Sequence, residues 1–320
     1  MTVLDWLLDS DPAIRWQVLR DLADAPEDVV AAERTRVATE GWGARLLALR
    51  DDDGQWAGGA CFPASGWDPA AGGGQPWTST LPTLALLRDL GLDPATPAAR
   101  ETAALVRENC RWEYDDLPFF DGEVEPCING RTVAIGAWLG QDVDRIVRRL
   151  LDDQLDDGGW NCEAELGSTR SSFDSTIDVL EGLLAFEHAG RASPEVSAAR
   201  RRGEEFLLER SLFRRRTTGE PARADYLLFS FPPRWHHDVL RGLEHFRVAG
   251  GAPDPRLADA VELVRSKQQP DGTWLLEGTH AGAVHFPLED GDGRPSRWNT
   301  LRALRVLRWA GVSPSYGAAS

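Results

Sequence analysis

One phrase recurs along the chain: an amphipathic stretch ends in aspartate and glycine, and a tryptophan follows at once. It reads Arg50-Asp-Asp-Asp-Gly-Gln-Trp56, then Gln154-Leu-Asp-Asp-Gly-Gly-Trp160, then Gln269-Pro-Asp-Gly-Thr-Trp274. Asn109-Cys-Arg-Trp112 reads as a degraded copy. Aspartate and glycine suit a tight turn that stops a helix, with glycine in the left-handed position. A phrase repeated at this scale predicts a chain built from repeated supersecondary units.

A second phrase opens helices. Arg15-Trp16-Gln-Val-Leu19-Arg20-Asp-Leu22 and Arg297-Trp298-Asn-Thr-Leu301-Arg302-Ala-Leu304 share one pattern at opposite ends of the chain. Arg234-Trp235 followed by Leu240-Arg241-Gly-Leu243 is the same pattern with two extra residues. Further starts lie at Trp77-Thr78, Cys127-Ile-Asn129 and Asp174-Ser-Thr176. Between them, segments such as 96–108, 142–154, 194–209 and 256–267 carry apolar residues at helical spacing with one polar face, as outer helices do. The segments after the starts, 134–139 and 179–186, are more apolar and tolerate glycine, as helices packed on both sides do. Alternating inner and outer helices over six starts predict an all-α chain, a single (α/α)6 toroid over residues 1–320. An open helical solenoid shows the same periodicity, but shared patterns at both ends, in place of polar caps, favour closure.

Composition excludes several classes. The net charge of −16 leaves no basic stripe for phosphates, so no nucleic-acid partner is expected. No apolar run approaches the ~20 residues of a membrane span. The amino terminus carries acids where a signal peptide carries bases, which predicts a cytoplasmic protein. In that compartment Cys61, Cys110, Cys127 and Cys162 are expected as thiols, either buried or serving as ligands or nucleophiles. Thirteen tryptophans against one methionine suggest rings that line a pocket or pin turns. The glycine-rich stretch 58–74 has no phosphate-loop pattern and is expected to be a long loop crossing towards the site.

The Gln-Asp-Gly-Trp phrases resemble the glutamine–tryptophan motifs of squalene and oxidosqualene cyclases and the repeats of protein prenyltransferase β subunits. Over nearly its full length the chain resembles bacterial proteins known only as squalene-cyclase-like or prenyltransferase-repeat proteins. The matching pieces are Asp11-Pro-Ala-Ile-Arg, Pro126-Cys-Ile-Asn-Gly, Gly159-Trp-Asn-Cys162, Phe231-Pro-Pro-Arg-Trp235 and Ser296-Arg-Trp-Asn-Thr-Leu. The resemblance implies the toroid, in which the amino ends of the inner helices converge at one mouth. It therefore directs attention to Trp77, Asn129, Trp235, Arg297 and Trp298 as substrate-binding groups, with Cys127, Cys162, Asp174, His236, His237 and Asp238 beside them.

Two chemistries suit that set. Cys127, Cys162, Asp174 and His237 make a plausible zinc set of soft and borderline ligands; prenyltransferases of this fold use an Asp–Cys–His zinc site, though the spacing here differs. Alternatively, Ser172-Phe-Asp174-Ser-Thr176 resembles the acidic Asp-x-Asp-Asp-Thr opening of class II terpene cyclases, keeping the middle acid and the threonine. Asp174 is then a proton donor, or a helix cap. Of the paired histidines one is expected to face the cavity as a base, oriented by Asp238, and the other to be solvated. Arg297 is expected to meet an anionic group, or a turn aspartate. The leading expectation is a terpenoid-cyclase- or prenyltransferase-like enzyme acting on a small apolar or isoprenoid-like substrate. A zinc-dependent enzyme on another substrate and a non-catalytic binding toroid are the alternatives.

Overall fold

Several helices in this protein start where the sequence supplies a side-chain cap. The computed structural model describes residues 2–313 except 69 and 71, and the chain is all-α. In chain order the helices are α1 (Val3–Leu8), α2 (Pro12–Asp21), α3 (Glu27–Thr35), α4 (Gly41–Ala48), α5 (Thr80–Leu90), α6 (Pro97–Asn109) and α7 (Pro126–Trp138). They continue with α8 (Asp144–Asp152), α9 (Phe173–Phe186), α10 (Pro194–Leu208), α11 (Val239–Ala249), α12 (Ala258–Ser266) and α13 (Arg297–Trp309). The two-residue strands β1 (Trp274–Leu275) and β2 (Pro295–Ser296) pair antiparallel ahead of α13. Asp11 and Thr96 accept backbone N–H bonds at the starts of α2 and α6, each ahead of a proline whose missing N–H costs nothing there. Ser172 and Ser296 cap α9 and α13 in the same way.

Two compact units divide the chain. One comprises the residues up to Trp42, Leu207–His280 and those from Pro287; the other comprises Gly43–Phe206 with Ala281–Phe286. Burial alternates along the chain as the periodicity predicts. The outer-type helices bury one stripe only: Ala99, Thr102, Ala103 and Val106 of α6, Ile146, Val147 and Leu150 of α8, Ala260, Val261 and Val264 of α12. By contrast α9 buries nearly every residue of its length, and α13 is buried continuously from Trp298 to Leu307. Such all-round burial accounts for the weak polar face of α9 in the sequence, while α13 buries its Arg302 and Arg305 as well.

The recurring tryptophan phrase is a clamp. Trp56, Trp160 and Trp274 have no solvent exposure. Each indole N–H donates to the carbonyl ten residues earlier, Leu46, Leu150 and Val264, at 2.7–2.8 Å. Each backbone N–H donates to a threonine hydroxyl in the first turn of the next inner helix: Thr80 at 3.2 Å, Thr176 at 3.1 Å and Thr300 at 2.9 Å. One residue thus ties the end of an outer helix to the start of an inner one, and its indole bonds a carbonyl of the outer helix's last turn. The turn glycines Gly54, Gly158 and Gly272 stand at φ +90°, +97° and +86°, which only glycine adopts freely. Trp112 departs from this pattern. Its indole donates forward to Phe119 O, so the supposed degraded copy closes a separate turn.

In the second unit α7 packs against both α5 and α9. Its approach to α9 is set by two glycines. A Cβ on Gly130 would lie 2.5 Å from the Asp178 carbonyl oxygen, and one on Gly182 would lie 2.3 Å from the Gly130 carbonyl oxygen. No side chain separates the two backbones there, and their amino ends lie side by side.

Candidate metal and thiol centre

Cys127 occupies the first turn of α7, directly after Pro126. Cys162 opens a short 3-10 turn ahead of α9, where Asn161 caps the backbone N–H of Glu163. The close pairing of α7 and α9 brings the two sulfurs to 2.8 Å, with Cys162 partly exposed and Cys127 the more buried of the two. Cys127 Sγ also lies 3.4 Å from a Glu125 carboxylate oxygen. On the other side the Ser175 hydroxyl donates to Cys162 Sγ at 3.3 Å and accepts the Cys162 backbone N–H at 3.2 Å. Glu125, Cys127 and Cys162 thus place three ligand atoms within 4.8 Å of one another. The Cys162 thiol beside it, then burial, hold the Cys127 thiol well above the usual cysteine range. Cys61 and Cys110 behave differently: both are buried, and burial pushes each up to about 12, so they are inert small apolar residues.

This group differs from the expected zinc set. It contains Cys127 and Cys162, adds Glu125, and omits Asp174 and His237. Asp174 sits buried in the first turn of α9, but the cap of that helix is Ser172, whose oxygen accepts the Ser175 N–H, so the capping role expected of Asp174 is filled by another residue. The Thr176 hydroxyl, expected as its companion, takes the Trp160 backbone N–H.

His236 and His237 precede α11 rather than lying on it, so helical geometry does not separate them; His236 is half-buried and His237 buried. His237 is buried, with Nε2 2.7 Å from the Leu212 carbonyl and its ring edge-on to Tyr226. The donor group gathered around Cys127 and Cys162 is completed by Glu125, without a histidine. His236 is stacked between Trp235 and His280, at 3.6 and 3.8 Å between centroids. Burial, then the His280 charge, pushes its pKa down to about 3, which leaves it neutral and a poor base near neutrality. Asp238 does not orient a histidine; it caps α11 by accepting the Arg241 N–H at 2.7 Å.

The remaining candidates are engaged in structure. Asn129 is fully buried and closes the loop before α7, accepting the Glu123 N–H at 2.8 Å and donating to its carbonyl at 2.6 Å. Trp77 is buried and donates to Ala281 O at 2.9 Å. The Arg297 guanidinium donates to the carbonyls of Trp6 and Asp9 and lies over the Trp6 ring, and among the described residues it makes no ion pair with a turn aspartate. Trp298 stacks on Phe231 at 4.2 Å, with Trp42 at 6.1 Å, and forms an aromatic cluster within the first unit. The loop expected over residues 58–74 is irregular where described; residues 69 and 71 lie outside the described residues.

Sequence reasoning missed one acid near that cluster. Glu289 borders a surface cleft of about 240 Å³ shared with Asp9, Trp42, Asp290 and Arg297. Its carboxylate accepts the Ser296 hydroxyl at 2.5 Å and the Trp298 N–H at 3.2 Å, and burial raises its pKa to about 7 against those stabilising bonds. The folded protein therefore holds a proton there that the unfolded chain releases near pH 4.5. Stability associated with the neutral acid is complete below that pH and is lost as pH rises through about 7. Glu289→Gln keeps an acceptor without the charge. Between pH 5 and 8, urea unfolding of the wild type is expected to lose about 1–2 kcal/mol relative to this variant. Parallel pH profiles for the two proteins would remove Glu289 from this role.

No family model matches the chain, and no curated protein does. Among solved structures, a protein from Actinoplanes is similar at 19% identity, over 95% of this chain and 91% of that one, with a TM-score of 0.44. Among the described residues no helix is long and apolar enough to cross a membrane.

Proposed function

We propose that Glu125, Cys127 and Cys162 form a zinc-type centre and that the protein is a metal-dependent enzyme acting on a small, largely apolar substrate. The observation that carries this reading is the convergence of two thiols and a carboxylate at the paired amino ends of α7 and α9. The donor set suits a borderline-soft divalent ion, and three protein ligands leave a fourth position open, as in catalytic rather than structural zinc sites. A zinc ion there would polarise a substrate carbonyl or activate a bound water. The chain's own residues supply the rest. Ser175 orients Cys162, and the amino ends of α7 and α9 offer partial positive charge to thiolates and to an anionic substrate group. Tetrahedral ligation needs sulfurs about 3.8 Å apart, which a change of rotamer at Cys162, the more exposed thiol, can supply. Toroid closure is part of the same proposal.

Metal content by elemental mass spectrometry tests the reading, on protein purified without chelator or histidine tag. About one zinc per chain is expected, lost in Cys162→Ser and retained in Asp174→Asn. A wild type that takes up no zinc even when supplied with it sinks the proposal.

A cyclase-type reading keeps one specific support. Glu289 is a half-buried acid, neutral up to about pH 7, in the unit that holds the Trp42–Trp298–Phe231 cluster, and aromatic faces stabilise cations. It requires metal-independent turnover of an isoprenoid that Glu289→Gln abolishes.

A further inference from the structure

We propose that Cys127 and Cys162 form a reversible intramolecular disulfide, so that the proposed metal site is also a site of thiol–disulfide exchange. Their sulfurs stand 2.8 Å apart, and closing to a bond of about 2.05 Å needs less than 1 Å of movement. Cys162 is partly exposed and Cys127, the more buried of the two, lies against it, whereas Cys61 and Cys110 are buried and out of reach of a small oxidant. The pair bridges 35 residues and joins the first turn of α7 to the segment leading into α9, two places already held together by the Gly130–Gly182 contact. The bond therefore joins two places that helix packing already holds side by side.

The oxidant is a small disulfide of the glutathione class. One cysteine thiolate attacks a sulfur of that disulfide, forming a mixed disulfide and expelling one small thiolate. The second thiolate then attacks the protein sulfur of the mixed disulfide and expels the other. Two electrons pass from the cysteine pair to the reagent, and the two protons leave on the two released small thiols. The Cys127 thiol donates to the Glu125 carboxylate at 3.4 Å.

Metal binding and the disulfide exclude each other. Ligation needs the sulfurs to part to about 3.8 Å, and oxidation needs them to close to about 2.05 Å. That exclusion rests on the zinc reading; the disulfide itself does not.

The test treats the metal-stripped full chain with oxidised glutathione and follows it by intact mass and non-reducing peptide mapping. The expected result is the loss of two hydrogens per chain, a cross-linked peptide holding Cys127 and Cys162, and unmodified thiols at Cys61 and Cys110. Dithiothreitol should restore the starting mass. In Cys127→Ser, the mixed disulfide should persist on Cys162 because no second thiol resolves it. Glutathione adducts that persist on the wild type without a cross-link overturn the proposal, as does a protein whose four thiols all stay reduced. Zinc uptake by the reduced protein is measured separately: a cross-link without zinc uptake sinks the metal reading alone, and zinc uptake without a cross-link sinks this one.

Discussion

Trp160→Ala is expected to be the most damaging single substitution in the second unit, lowering stability by about 4–5 kcal/mol in urea unfolding. The ring has no solvent exposure, so truncation leaves a cavity that packed helices close only in part. It also strands the Leu150 carbonyl, which has accepted the indole N–H at 2.7 Å. Trp160→Phe separates the two losses. It keeps most of the buried area and removes only the hydrogen bond, so it should cost about 1–3 kcal/mol. If the two variants unfold at the same denaturant concentration, the clamp does not work as described. The cavity argument extends to Trp56 and Trp274, but their acceptor carbonyls also take backbone N–H bonds from Leu49 and Lys267 and would not be stranded.

Gly182→Ala is the second large effect, and it runs against intrinsic propensity. Alanine is the better helix former by about 1 kcal/mol. Its Cβ would nevertheless sit 2.3 Å from the Gly130 carbonyl oxygen and 3.1 Å from the Gly130 Cα, both backbone atoms of a buried helix. Overpacking of this kind typically costs about 1–3 kcal/mol and is relieved by driving the helices apart. We expect a net loss of about 2 kcal/mol. We also expect slower Cys127–Cys162 cross-linking, because the sulfurs meet only while α7 and α9 touch. An unchanged urea midpoint together with unchanged cross-linking would falsify the close-contact account. The two measurements connect packing in the helix bodies to chemistry at their ends.

Much of the architecture was legible in the sequence, for a local reason. The turn after α8 needs a positive φ at Gly158, and the indole of Trp160 needs an acceptor within reach, so both requirements sit in one short phrase. Outer helices showed themselves through one apolar stripe, as in α6, and inner helices through its absence, as in α9. The histidine pair misled because the two extra residues before Leu240 form a non-helical lead-in to α11, and an i, i+1 argument assumes a helix. Asp174 misled because a serine two positions earlier already fills the cap. Glu125 and Glu289 left no signal: each is one carboxylate among 51 acidic residues, and only its neighbours distinguish it.

Where the chain turns, which helices are buried and which residues cap them were decided by the sequence alone. Those outcomes depend on backbone conformation and side-chain polarity within a few residues. Which thiols meet was decided only by the tertiary structure. Cys127 and Cys162 lie 35 residues apart, and their contact exists because Gly130 and Gly182 let two helix backbones touch. That approach is a property of two surfaces in contact, and no spacing along one chain encodes it.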